Sequence, residues 1–225
     1  NARRAETYHL VCAAGYGGGP GGSINITANS LLLHRGETPW LGGPGLNYSL
    51  ATLSAFGSTS GGTVTLDAGS LSMIDLGNVS PDDVNLDPAY RPTINVNGYD
   101  GNGGSINVTT SNFSLSDWQY FEAIGTQAGG NIASTADSID LAGGLVATGA
   151  TGGTVTTTTT GSLFAGATAY INAGTSLAHA QSISIVSAID AGPGIGAVLT
   201  DAALSSRPDA GTATSVTLVF LSALA

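Results

Sequence analysis

A thirteen-residue unit recurs along this chain, and it constrains the fold more than any other feature. Gly21-Gly22 opens GGSINITANSLLL, Gly61-Gly62 opens GGTVTLDAGSLSM, Gly103-Gly104 opens GGSINVTTSNFSL, and Gly129-Gly130 opens GGNIASTADSIDL. Ala173-Gly174 opens a weaker copy, AGTSLAHAQSISI, and Gly152 opens GGTVTTTTTGSLF with one inserted residue. A shortened copy runs from Ala210 to SVTLVF. Internal repetition is read before local structure, because it sets the architecture within which every local element must fit.

The apolar positions of the unit alternate. Position 4 is Ile24, Val64, Ile106 and Ile132; position 11 is Leu31, Leu71, Phe113, Ile139 and Ile183; position 13 is Leu33, Met73, Leu115, Leu141 and Ile185. Residues 4 and 6, and then 11 and 13, are two apart, which is the period of a strand with one face inward. The polar runs between them (TAN, DAG, TTS) read as corners. The Gly-Gly pairs read as sharper corners, where positive φ or close backbone packing is needed. No window carries the i, i+3, i+4, i+7 apolar pattern of a helix for long.

Openers at 21, 61, 103, 129, 152 and 173 are 40, 42, 26, 23 and 21 residues apart. A coil of about 20 residues accounts for these gaps if the first two hold two coils each. The expected fold is therefore all-β: a parallel β-helix solenoid of about ten coils with inserted loops, stacked about 4.8 Å apart. Residues 1–20 form a head or capping segment, and 21–225 the repeat domain. A chain opening on Asn1 rather than Met reads as a processed product or an excised fragment.

Composition agrees with stacking. Only 9% of residues are charged, and all five cations are Arg. Like charges would stack in columns and repel, whereas Ser, Thr and Asn can form ladders along the stack. In that setting the run Thr156 to Thr160 reads as outward strand filler. A net charge of -10 without a basic cluster excludes nucleic acid as a partner. The 34 Gly lack the three-residue period of collagen. No apolar stretch reaches the roughly 18–20 residues of a membrane-spanning helix. Cys12 is alone, so the chain has no internal disulfide.

The GG-x-Ile-x-Ile/Val-(x)4-Leu-x-Leu pattern resembles the repeats of filamentous-haemagglutinin-like proteins, secreted bacterial adhesins of the two-partner type. The resemblance spans about Gly21 to Phe220, with clear copies over about a third of it. It implies a right-handed parallel β-helix, export to the cell surface or beyond, and an adhesive or surface-fibre role.

Extra length in a repeat stack is extruded as loops, where recognition tends to reside. Three stretches gather aromatic and charged residues: His34 to Tyr48, Leu76 to Asp100, and Ser116 to Ile124. Trp40, Tyr90, Trp118, Tyr120 and Phe121 are candidate ligand-binding residues, since aromatic rings stack on the apolar faces of sugars. The competing reading is that they pack back on the coils. Asp82, Asp83, Asp87 and Asp100 offer hard oxygen ligands for calcium; otherwise they belong to solvated turns. No other cofactor is implied. Paired carboxylates also serve glycoside hydrolysis. However, neighbouring strand residues point to opposite faces, and no His lies near Asp82 in sequence. His9, His34 and His179 are far apart and form no metal trio. Asn25, Asn47, Asn78, Asn107 and Asn112 lie in N-x-S/T sequons; they are glycan sites in a eukaryotic secreted protein and ladder residues in a bacterial one.

The expected function is a non-catalytic extracellular module, an adhesin stalk or surface-fibre segment binding a host-surface protein or carbohydrate. Two alternatives remain. One is copies stacking end to end into a filament. The other is a carbohydrate-active β-helix enzyme or phage-type spike using the 76–100 loop.

Overall fold

A computed structural model describes residues 10–38, 47–49, 52–75, 93–116, 119–165, 169–173, 183–189, 197–199, 203–205 and 216–222. Every regular element among them is a β-strand. In chain order these are β1 (Leu10–Cys12), β2 (Ser23–Thr38), β3 (Asn47–Ser49), β4 (Thr52–Ser54), β5 (Thr63–Asp75), β6 (Thr93–Asn95), β7 (Ser105–Leu115), β8 (Tyr120–Glu122) and β9 (Asn131–Leu141). They continue as β10 (Gly144–Val146), β11 (Thr154–Thr159), β12 (Leu163–Ala165), β13 (Tyr170–Asn172), β14 (Ile183–Ile189), β15 (Ala197–Leu199), β16 (Ala203–Ser205) and β17 (Val216–Ser222).

The strands form two parallel sheets whose orders interleave along the chain. One has seven short strands, β1-β4-β6-β8-β10-β13-β16. The other runs β17-β14-β11-β9-β7-β5-β2, with β3 antiparallel on the end of β2. The pair β12–β15 continues the far half of β9. Each repeat thus gives a three-residue strand to the first sheet and then a long strand to the second, and pairs with its counterpart in the next repeat. The first sheet takes in β1, so residues 10–12 of the expected head segment are part of the repeat architecture.

The register corrects the expected repeat count. Ser23 pairs with Thr63, and Thr63 with Ser105, with no strand between them. The gaps of 40 and 42 residues therefore hold one repeat step each, not two. The excess length of the first gap falls at 39–51, of which 47–49 form β3 on the end of β2, and that of the second at 76–92, outside the described residues. Among the described residues, the seven strands of the first sheet mark seven repeats in place of about ten.

The weak copy from Ala173 is also re-registered. Ile183 pairs with Val155 and Ile185 with Thr157, which are positions 4 and 6, not 11 and 13. The register places the inserted residue of the Gly152 copy between Thr159 and Leu163. Thr159 pairs with Ala136 and Leu163 with Ile139, so three residues here match two in β9.

Inward columns make the core. Val64, Ile106, Ile132 and Val155 stack at position 4; Leu71, Phe113, Ile139 and Leu163 stack at position 11. Leu53, Ile94, Phe121, Leu145 and Ile171 line the inner face of the seven-stranded sheet. In the fourth and fifth repeats position 6 turns polar, and the buried Ser134 hydroxyl bonds that of Thr157 at 3.1 Å. Thr157 and Thr159 are both 1% exposed, so the threonine run is not uniformly outward. Its even-numbered members face out, and Thr157 and Thr159 fill interior columns.

The Gly-Gly corners follow from close backbone approach. A Cβ on Gly61 would overlap the carbonyl oxygen of Val96, and one on Gly103 that of Ala123. Neither glycine has positive φ; among the described residues Gly17, Gly18 and Gly152 do. Each pair is tied twice. The N–H of Gly62 donates to Ala55 of its own repeat at 2.7 Å, and that of Gly61 to Asn102 of the next at 2.9 Å. A second glycine column, Gly15, Gly57, Gly98 and Gly125, bridges four repeats between the short strands and the Gly-Gly openers. These bonds satisfy backbone groups that would otherwise be buried without partners.

Candidate functional site

Trp40, Tyr90, Trp118, Asp82, Asp83, Asp87 and Asn78 lie outside the described residues. Phe121 has no face to offer a ligand. It is 0% exposed, and its ring stacks on Phe113 with centroids 5.5 Å apart. Residues 119–123 are part of the seven-stranded sheet and its continuation, not an extruded loop. The reason is steric and periodic: Phe121 takes the column position held by Ile94 and Leu145 in the flanking repeats. Tyr120 points the other way, is half-buried, and lies where any Cβ on Gly144 would strike its ring.

Asp100 is exposed at a corner, with its N–H donating to the Ser58 carbonyl at 2.7 Å and its carbonyl accepting from the Gln127 side chain. Among the described residues no three acidic, His or Cys side chains gather as a metal site. Asn25 is exposed and Asn107 half-buried, both on the outer face of the larger sheet. The Asn112 side-chain oxygen accepts from Ser138 at 2.8 Å, a ladder bond between repeats. Asn47 lies in β3.

The structure assembles a surface that the sequence pattern left scattered. Tyr16, Phe56 and Tyr99 come from three successive repeats and form one stripe. Tyr16 meets Phe56 edge-on at 5.2 Å, and Phe56 meets Tyr99 at 5.5 Å with planes 67° apart. Such edge-to-face pairs hold ring orientation beyond what burial alone gives. Tyr16 is 74% and Tyr99 54% exposed, while Phe56 is half-buried between them.

Backbone bonds fix the stripe. The Ser58 N–H donates to Gly19 at 2.9 Å, and the Tyr99 N–H to Gly57 at 3.1 Å. Each ring is the chain neighbour of a corner glycine: Gly15-Tyr16, Phe56-Gly57, Gly98-Tyr99. That adjacency is the sequence signal for the site. The stripe ends where Thr126 follows Gly125. Asp100, Asn102 and Gln127 are exposed polar neighbours in the same corner segments. Rigid, amphipathic rings flanked by hydrogen-bonding side chains are a chemistry for gripping a partner.

Among protein-family models, curated proteins and solved structures, none matches this chain. No helix among the described residues is long and apolar enough to cross a membrane.

Proposed function

We propose that this chain is a non-catalytic structural and adhesive module of an extracellular or cell-surface protein, wound as a parallel β-helix with one repeat per coil. The reading of the winding draws support from the interleaved order of the two sheets and from the in-register columns. Seven coils give a stack about 29 Å long, from six steps of about 4.8 Å. The adhesive reading is carried by one observation, the exposed Tyr16–Phe56–Tyr99 stripe crossing three repeats. A ladder-bonded scaffold holds these rings in place before binding, so little conformational entropy is lost on contact. The test is adhesion of the purified protein to host cells and to matrix proteins and glycans. Tyr16→Ala with Tyr99→Ala abolishes adhesion if the stripe is the contact surface; undiminished adhesion overturns that assignment.

End-to-end association of copies is a second reading, favoured by the first repeat. Val11 is 48% exposed, whereas its column neighbours Leu53 and Ile94 are 2% and 0% exposed. β1 is the edge of the seven-stranded sheet among the described residues, and an apolar side chain exposed at a strand edge invites another copy. Sedimentation across a concentration series distinguishes a stacking protein from a monomer.

A further inference from the structure

A groove of about 690 Å³ runs along the outside of the larger sheet, crossing five repeats. It follows the bend at position 9, where Asn29, Gly69, Ser111 and Asp137 each drop out of the pairing register. Thr27, Thr109 and Thr135 stand on one wall, Ser111, Asp137 and Thr160 on the other. The inward-facing small residues Ala68 and Ala136 form its floor. Four repeat steps of about 4.8 Å make it about 19 Å long.

The wall hydroxyls differ from their neighbours in how they are used. At position 10 the Ser70 hydroxyl bonds that of Ser30 at 2.9 Å, and Ser138 bonds Asn112 at 2.8 Å, so that column is spent on itself. The side chains of Thr27, Thr109, Ser111 and Thr135 make no hydrogen bond among the described residues. Each presents a donor and an acceptor. Thr27, Thr109 and Thr135 share one wall, with Asp67 taking the place between Thr27 and Thr109. Ser111 stands on the other wall, where the Thr160 hydroxyl donates to the Asp137 carboxylate at 2.9 Å.

We propose that this groove binds a linear, uncharged glycan laid along the stacking direction. The proposal rests on the adhesive reading and adds a ligand class on a second face of the same scaffold. Free hydroxyls spread along both walls of the groove match a polymer that carries hydroxyls of its own. Weak contacts repeated along one polymer add through effective concentration. The exposed carboxylates of Asp67 and Asp137, within a net charge of -10, turn away phosphate, sulfate and uronate polymers and accept neutral hydroxyls. A peptide strand is a poor occupant, because it needs an open backbone edge, and here the ladders run on both sides of β5, β7 and β9.

Affinity electrophoresis in gels cast with unbranched neutral glucan, mannan or xylan tests this, with a uronate polymer as comparison. At least one neutral polymer retards the protein to the same degree at low and high salt, and the uronate does not. Thr109→Trp and Ser111→Trp, both at exposed positions, fill the groove and weaken retardation by about tenfold or more, with melting temperature unchanged. Thr109→Ala with Ser111→Ala weakens it as well, without added bulk. Retardation that survives all these changes overturns the proposal, as does absence of retardation by every neutral polymer. If adhesion persists while the groove variants have no effect, the groove assignment falls alone. If adhesion is also absent, the adhesive reading falls with it.

Discussion

Phe113 and Phe121 stack across the interior, centroids 5.5 Å apart and planes 25° from parallel, and so join the two sheets. Phe113 is 2% exposed in β7, and Phe121 is 0% exposed in β8 of the following repeat. Phe121→Ala removes the largest inward side chain of the short-strand sheet and leaves a cavity. A loss of about 3–5 kcal/mol is expected in denaturant unfolding. Phe121→Leu, which resembles its column neighbour Leu145, loses much less.

Gly61 is held by proximity rather than by its φ. Gly61→Ala places a methyl group on the Val96 carbonyl, and the loss expected is on the order of 1–3 kcal/mol. Gly22→Ala is the milder comparison, because its methyl would stand 3.0 Å from the Ala13 oxygen in the first repeat. Thermal melts of the two variants should fall in that order.

Gln119 is fully buried, and neither atom of its side-chain amide has a protein partner among the described residues. A buried amide without partners carries its full desolvation cost. Gln119→Leu, of similar size, is expected to raise stability by about 1 kcal/mol. A drop in melting temperature would show that the amide is satisfied in solution.

Tyr99 contrasts with these interior residues. It is 54% exposed, so Tyr99→Ala is expected to change stability by no more than about 0.5 kcal/mol. Circular dichroism melts check this, and they separate a contact role for the stripe from a packing role.

Much of this architecture is legible in the residues. The Gly-Gly openers and the alternation at Ile24, Val64, Ile106 and Ile132 give parallel strands, their inward faces and their corners. The repeat length is not legible from the gaps alone, because an even division of 40 residues ignores where extra length can go. Direct pairing of Ser23 with Thr63 and Thr63 with Ser105 shows that it is not a further repeat.

The seven-stranded sheet has a signal too, shorter and less regular. LVCAAG, TLSAFG, TINVNG, YFEAIG and GLVATG each place an aliphatic or aromatic residue on the inner face, an Ala (Val96 in TINVNG) two further on, and a glycine two after that. Three-residue strands offer only one inward side chain, so alternation alone does not reveal them. For that reason Phe121 reads as a loop aromatic in the sequence and as core in the fold. The Tyr16–Phe56–Tyr99 stripe was out of reach for another cause. Its members are 40 and 43 residues apart, and only the register brings them together.

The central claim is that successive repeats pair directly, one step per Gly-Gly opener. It is tested most directly by a disulfide between Thr65→Cys and Asn107→Cys, made in a Cys12→Ser background. These two positions are register partners on the outer face of adjacent repeats. Paired parallel strands put their Cα atoms about 4.8 Å apart, within disulfide reach. Peptide mapping of the oxidised protein should then find the 65–107 bond in the folded monomer. If a further coil lay between these repeats, the two positions would be about 9.6 Å apart, beyond that reach. A folded protein that forms no such bond under oxidising conditions would contradict the account.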